Sequence, residues 1–222
     1  MRRRPAIDRP PESRAFVDHA LAELRRSHWR PGAWTVFLWR CAARSVEQAR
    51  MHPLAALEVT ALHLALFISS GRCRPRVTAS WTMAITHLGL LGSQRRSIGP
   101  ANALSLLRAN LPAGRWSPLV AIGTDVADGW LARTTTPTAF GAYADGLADV
   151  AFWTRQVWTS ERSRVLGAAL AAAWLLPLAA IGAAYFATSR TIDYPRLLIV
   201  RRLSAGLQCL LAARALAGRL EE

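Results

Sequence analysis

The sequence predicts an all-α protein, a polytopic transmembrane helix bundle preceded by a basic amphipathic helical extension. Three observations predict it. Hydrophobic residues make up 52% of the 222-residue chain and mean hydropathy is +0.15, high for a soluble protein. From Pro53 onward, apolar helix-forming stretches succeed one another, and no run alternates polar and apolar residues as a strand would. All 28 basic residues are arginine, eleven of them within residues 1–50, in a chain of formal charge +14. That gradient suits an anionic membrane surface and the positive-inside rule. Nucleic acid could also take such charge, but it is not the expected partner, because the basic segment runs directly into apolar spans.

The extension is expected over residues 1–52. Residues 1–13, rich in Pro and Arg, read as disordered. Ser13 can cap a helix over Arg14–Ser27 with Phe16, Ala20, Leu21 and Leu24 on one side, and Pro31-Gly32 breaks it. A second helix fits Ala33–Met51. Its stripe of Trp34, Phe37, Leu38 and Cys41 lies opposite Arg40, Arg44, Glu47 and Arg50, a pattern suited either to the lipid interface or to the protein's own core.

Residues 53–222 are expected to form the membrane-embedded bundle. Helices are predicted over Leu54–Ser70, Val77–Gly92, Leu119–Trp130, Thr138–Trp158, Val165–Thr188 and Leu197–Leu216. Only Val165–Thr188 is a comfortable span by length, with Pro177 a site for a kink. Cys41, Cys73 and Cys209 have neither ligand-like nor disulfide-like spacing, and the five histidines form no metal-like pair. No apolar segment with a small-residue cleavage site follows the basic start, so a cleaved signal peptide is not expected.

Between Glu58 and Glu161 the only acidic residues are four aspartates, Asp125, Asp128, Asp145 and Asp149. They stand in apolar helical sequence, where an uncompensated carboxylate is costly. Asp125, Asp128 and Ala132 share one helical face; Gly141, Asp145 and Asp149 share one face of the next helix. The turn Thr134-Thr135-Thr136-Pro137 lets the two helices oppose these faces. Carboxylates so gathered repel unless a cation compensates them, and oxygen-only ligands select hard ions, Mg²⁺ or Mn²⁺. Such ions commonly also bind substrate phosphates, which implies a pyrophosphate-containing substrate. Gly129 and Gly141 leave room for a nucleotide to approach the backbone, and Arg133 can pair with a phosphate.

The pattern D-x-x-D-G-x-x-A-R, seven residues, then G-x-x-x-D-x-x-x-D resembles the signature of the CDP-alcohol phosphatidyltransferases, an integral-membrane family of phospholipid synthesis. It runs from Asp125 to Asp149. A weaker likeness lies upstream, where Asn102, Ser105 and Arg108 resemble the family's Asn/Thr/Arg segment, with Ser105 in the Thr place.

The resemblance implies transfer of a phosphatidyl or other substituted phosphate group from a CDP-alcohol, expected to be CDP-diacylglycerol, to an acceptor alcohol with release of CMP. It implies two divalent ions held by Asp125, Asp128 and Asp145, with Asp149 joining them or acting as general base. Asp128, Gly129, Ala132, Arg133 and Gly141 would line the cytidine nucleotide site. It also implies a homodimer in the inner or plasma membrane with the active site on the cytoplasmic side. Arg155, Arg190, Arg196, Arg201 and Arg202 are candidates for a phosphorylated acceptor, although a charge anchoring a helix end at the membrane interface is the more expected role for each.

In the family, two membrane crossings separate the upstream Arg from the first Asp. Here 16 residues separate Arg108 from Asp125, which predicts a truncated or re-entrant hairpin, or compensating helices within Leu54–Gly92. Two helices, where the family has three, are expected after the motif. The alternative functions are a non-catalytic membrane protein retaining the fold, and a Mg²⁺-pyrophosphate-dependent membrane prenyltransferase, which would need a second acidic cluster.

Overall fold

Nine α-helices and no β-strand make up the regular structure among the described residues, which are 11–71, 74–135, 137–161, 164–191 and 198–217 of the computed structural model. The helices are α1 (Pro11–Arg26), α2 (Pro31–Met51), α3 (Pro53–Ser69), α4 (Arg74–Thr86), α5 (Gly99–Asn110), α6 (Ser117–Thr134), α7 (Ala139–Ser160), α8 (Arg164–Thr188) and α9 (Leu198–Ala217).

Proline sets several starts. Pro11, Pro31 and Pro53 each open a helix, where the missing N–H costs nothing. This corrects two expectations: residues 11–13 are helical, with Ser13 inside the first turn, and Pro31-Gly32 begins α2. The chain turns between α1 and α2 through His28 and Trp29, at φ of 51° and 57°. Residues 1–10, read as disordered, lie outside the described residues.

Ala20, Leu21 and Leu24 form the buried face of α1 as expected, and Arg40 of α2 pairs with Glu23 of α1. On α2 the packed face runs through Trp34, Phe37, Cys41, Ser45 and Gln48, whereas Leu38, Trp39 and Val46 point outward. Leu38 therefore leaves the stripe assigned to it.

Two apolar cores meet along α7. Val59, Leu88, Leu106, Phe140 and Ala144 belong to the first, which joins α3, α5 and α7 with the short 3-10 turn Leu88–Leu91 after α4. Phe152, Trp153, Val157, Trp174 and Leu211 belong to the second, which joins α7, α8 and α9 with Ala121 of α6. Asp145 and Asp149 fall between them along the helix. Trp153 stacks on Trp174 at 6.0 Å, and a Cβ at Gly167 would touch Val157, so α8 runs back antiparallel to α7. The C-terminal end of α8 therefore returns to the level of the α6–α7 turn.

α8 is the one helix among the described residues long and apolar enough to cross a bilayer by itself, and it runs through Pro177. α2 and α3, bent by 105° where they meet, would together make a second such span. The all-helical expectation is met; of the polytopic expectation, one or two candidate spans are present by length and composition. α5, with 12 residues, is about 18 Å long, well short of a hydrocarbon core.

α5 is not among the helices expected from the sequence, because Asn102, Ser105, Arg108 and Asn110 interrupt its apolar pattern. α5 leads to α6 through residues 111–116 with no crossing between them. The carbonyls at its end are taken by arginines: Arg76 of α4 donates to Asn110 O at 2.7 Å, and Arg155 of α7 donates to Leu111 O. Gln156 pins the loop by exchanging two hydrogen bonds of 3.1 Å with the backbone of Gly114. α3 and α4 pack against α5.

Candidate active site

The site is built by α5, α6 and α7, with α9 at its edge. Glu58 on α3 fixes the start of α5: its carboxylate accepts from Ser97 Oγ at 2.8 and 2.9 Å and from the N–H of Ile98 at 2.8 Å, and Ser97 Oγ accepts from Gly99 N at 3.0 Å. A carboxylate at a helix N-terminus complements both the orphan N–H groups and the helix dipole. So oriented, α5 buries Asn102, Ser105 and Arg108, spaced by three and on one face. Thr138 caps α7, accepting from Gly141 N at 3.0 Å.

All four aspartates converge on Arg108, whose side chain is fully buried. Nη1 donates to Asp128 Oδ2 at 2.7 Å. Nη2 pairs with Asp145 Oδ1 and lies 3.6 Å from Asp125 Oδ1. Nε lies 3.1 Å from Asp149 Oδ1 but is not aligned for a hydrogen bond, which leaves that buried oxygen without a hydrogen-bond donor among the described residues. Asp149 Oδ2 accepts from Gln208 of α9 at 3.4 Å.

The carboxylates differ in depth. Asp128 is 8% exposed at its side chain and also accepts from Ser105 Oγ at 3.0 Å; Asp125 and Asp145 are 43% and 45% exposed, at the open side of the cluster. Asp125, Asp145 and Asp149 each offer an oxygen within 4.8 Å of the others. Asp128 stands outside that group, turned to Ser105 and Arg108. Four carboxylates and one guanidinium leave a formal excess of 4 − 1 = 3 negative charges. An oxygen-only set with net negative charge and an orphaned buried oxygen fits a hard divalent ion.

The other predicted residues separate. Arg133 is exposed, with its Nη1 3.4 Å from where a Cβ on Gly129 would sit. Ala132 is half-buried on the same helix. A Cβ at Gly141 would meet Asn102 Oδ1 at 2.5 Å, so the space at Gly141 is taken up by α5's approach. Asn102 Nδ2 donates to Ile98 O at 2.7 Å. Arg155 is engaged with Leu111 O, and Arg190 is exposed beyond α8. Arg196 and the side chains of Arg201 and Arg202 lie outside the described residues.

Sequence reasoning missed Glu58, Gln156 and Gln208. Only Glu58 carried a local signal, as an isolated acid in an apolar helix; the others depend on contacts between distant elements. Of the tryptophans near these helices, Trp153 and Trp174 are core, while Trp116, Trp130 and Trp158 are exposed. Cys41 and Cys209 are free thiols. His63 is satisfied by Val59 O at 2.8 Å and Ser80 Oγ at 3.0 Å, a structural role.

A helical scaffold that converges carboxylates from two consecutive helices defines an acidic site of the metal-assisted phosphotransfer type. The profile described as CDP-alcohol phosphatidyltransferase matches residues 95–217, from just before α5 to the end of α9. The chain belongs to that family, an enzymatic, integral-membrane family of CDP-alcohol phosphotransferases. No curated protein and no solved structure matches the chain at a significant level.

Proposed function

We propose that the protein transfers a phosphatidyl group from a CDP-alcohol, with CDP-diacylglycerol the donor, to an acceptor hydroxyl, releasing CMP. The observation that carries this reading is the convergence of Asp125, Asp128, Asp145 and Asp149 on one point within the segment the family matches.

Asp125, Asp145 and Asp149 are the residues to hold divalent ions, Mg²⁺ or Mn²⁺, with Asp128 anchoring the floor. Bound divalent ions would neutralise the phosphates of the donor and the charge of departing CMP. Asp149 is the general base: it accepts the proton of the acceptor hydroxyl, whose oxygen then attacks the phosphorus bearing the donor alcohol. Gly129 and Ala132 present little bulk beside Asp128 and suit the cytidine, with the exposed Arg133 free to meet a phosphate.

Residues 11–52 would form an interfacial segment on the same, cytoplasmic, face. Trp29 and Trp34 gather around Phe186 near the end of α8, with ring centroids 5.8 and 5.7 Å away, and α8 ends at the level of the α6–α7 turn. The outward Leu38, Trp39 and Val46 suit acyl chains, and the neighbouring arginines suit anionic headgroups.

The test is CMP release by purified protein from labelled CDP-diacylglycerol with Mg²⁺ or Mn²⁺ and a panel of acceptor alcohols. Release by the wild type, lost in Asp149→Asn, supports the transferase. Nucleotide binding without CMP release from any acceptor would favour a non-catalytic member of the family.

A further inference from the structure

We infer that Arg108 is a resident counter-cation: it holds Asp125, Asp145 and Asp149 together in the cation-free protein, and divalent ions must displace it from those three carboxylates while it keeps its hold on Asp128. The inference rests on the divalent-ion site proposed above.

The three residues that could surround one ion are the same three that face Nη2 and Nε of the guanidinium. A guanidinium and a divalent ion cannot occupy one space, and they repel. Arg108 does not lose its charge by deprotonation, so relief comes only from movement. The contacts are graded in a way that allows it. Toward Asp128 the arginine makes a 2.7 Å hydrogen bond to a carboxylate that is 8% exposed and is held from its other side by Ser105. Toward Asp125 the separation is 3.6 Å, and toward Asp149 the pair is misaligned. A swing about the Asp128 contact therefore gives up the long Asp125 contact and the misaligned Asp149 contact before the one to Asp145.

The arrangement also accounts for the polar face of α5. Without Arg108, four carboxylates would meet with only Ser105 and Gln208, among the described residues, to offset them, and the cation-free protein would be driven apart at this point. With it, the excess falls to three charges, enough to attract cations.

The experiment measures Mn²⁺ binding to the full chain in detergent, without nucleotide, from the free-Mn²⁺ electron paramagnetic resonance signal, together with thermal unfolding in chelator and in excess Mn²⁺. Arg108→Gln is expected to bind Mn²⁺ about tenfold tighter than wild type. It is also expected to melt lower in chelator and to gain more on adding Mn²⁺. Arg108→Lys, with a compact ammonium that reaches fewer carboxylates, is expected to fall between them. A folded Arg108→Gln whose Mn²⁺ affinity equals or falls below that of the wild type overturns the inference. Should that variant fail to fold even with Mn²⁺, Arg108→Lys decides: tighter binding supports the inference, and equal or weaker binding overturns it. Wild-type binding with unshifted variants sinks only the role of Arg108, whereas no binding by any of the three sinks the metal site with it.

Discussion

Glu58 of α3 accepts the backbone N–H of Ile98 at 2.8 Å, so an acid outside the family-matched segment sets the start of the helix that carries Arg108. Losing this cap should cost about 1–2 kcal/mol. Glu58→Ala is expected to lower the thermal midpoint by several degrees, and Glu58→Gln by less, because the amide oxygen still accepts one bond. Thermal unfolding in a fixed detergent checks this; equal midpoints for Glu58→Ala and wild type would remove the capping role.

Gly129 and Gly141 both belong to the motif but differ physically. At Gly141 a methyl group would collide with Asn102 Oδ1 at 2.5 Å, forcing α5 and α7 apart or rotating Asn102 away from Ile98. At Gly129 the nearest atom is the end of the exposed Arg133, at 3.4 Å. Gly141→Ala should therefore lose about 1–3 kcal/mol of stability. Gly129→Ala should fold as the wild type does and raise KM for the CDP-alcohol. Paired melting curves and CMP-release kinetics separate the two effects, and a stable Gly141→Ala would refute the packing role of that glycine.

The short connection from Arg108 to Asp125 is fastened from the side. Gln156, buried on α7, both accepts from and donates to Gly114, and its removal leaves two backbone groups without protein partners. Gln156→Ala is expected to loosen residues 111–116. Limited trypsin digestion should then cut after Arg115 several-fold faster than in the wild type. Unchanged cleavage would mean that Arg155, through Leu111, fastens the loop by itself.

These residues mark how far the sequence could be read. The aspartate faces of α6 and α7 were legible because helical spacing alone puts Asp125 with Asp128 and Asp145 with Asp149, and their acidity stands out in apolar surroundings. α8 was legible by its length. α5 was not recognised as a packed helix, although its residues were recognised as a motif, because its inward face is polar: Asn102, Ser105 and Arg108 face carboxylates and a glycine rather than an apolar core. The inward arginine has no local signal, since burial of a charge follows from partners 17 to 41 residues away in the chain. The exposure of Leu38 was likewise set by which side of α2 meets α4, a tertiary choice that an apolar stripe on its own does not decide.

The depth of the four aspartates predicts that their neutral variants divide into two kinds. Asp125 and Asp145 lie at the open side, with nearly half of each side chain exposed, so replacing either by Asn removes a proposed metal ligand without burying anything unpaired. Asp128 is the enclosed partner of a fully buried guanidinium, and its amide would leave that cation short of its best contact while Asp145 and Asp149 still hold part of the charge. Asp125→Asn and Asp145→Asn are therefore expected to keep the wild-type thermal midpoint in chelator while losing most CMP release, about a hundredfold or more. Asp128→Asn is expected to lose about 1–3 kcal/mol of stability in chelator as well as activity. Melting curves in chelator and CMP release, measured on the same preparations, give both readouts. If all three variants melted alike, the difference in depth would carry no energetic weight and Asp128 would be a ligand like its neighbours.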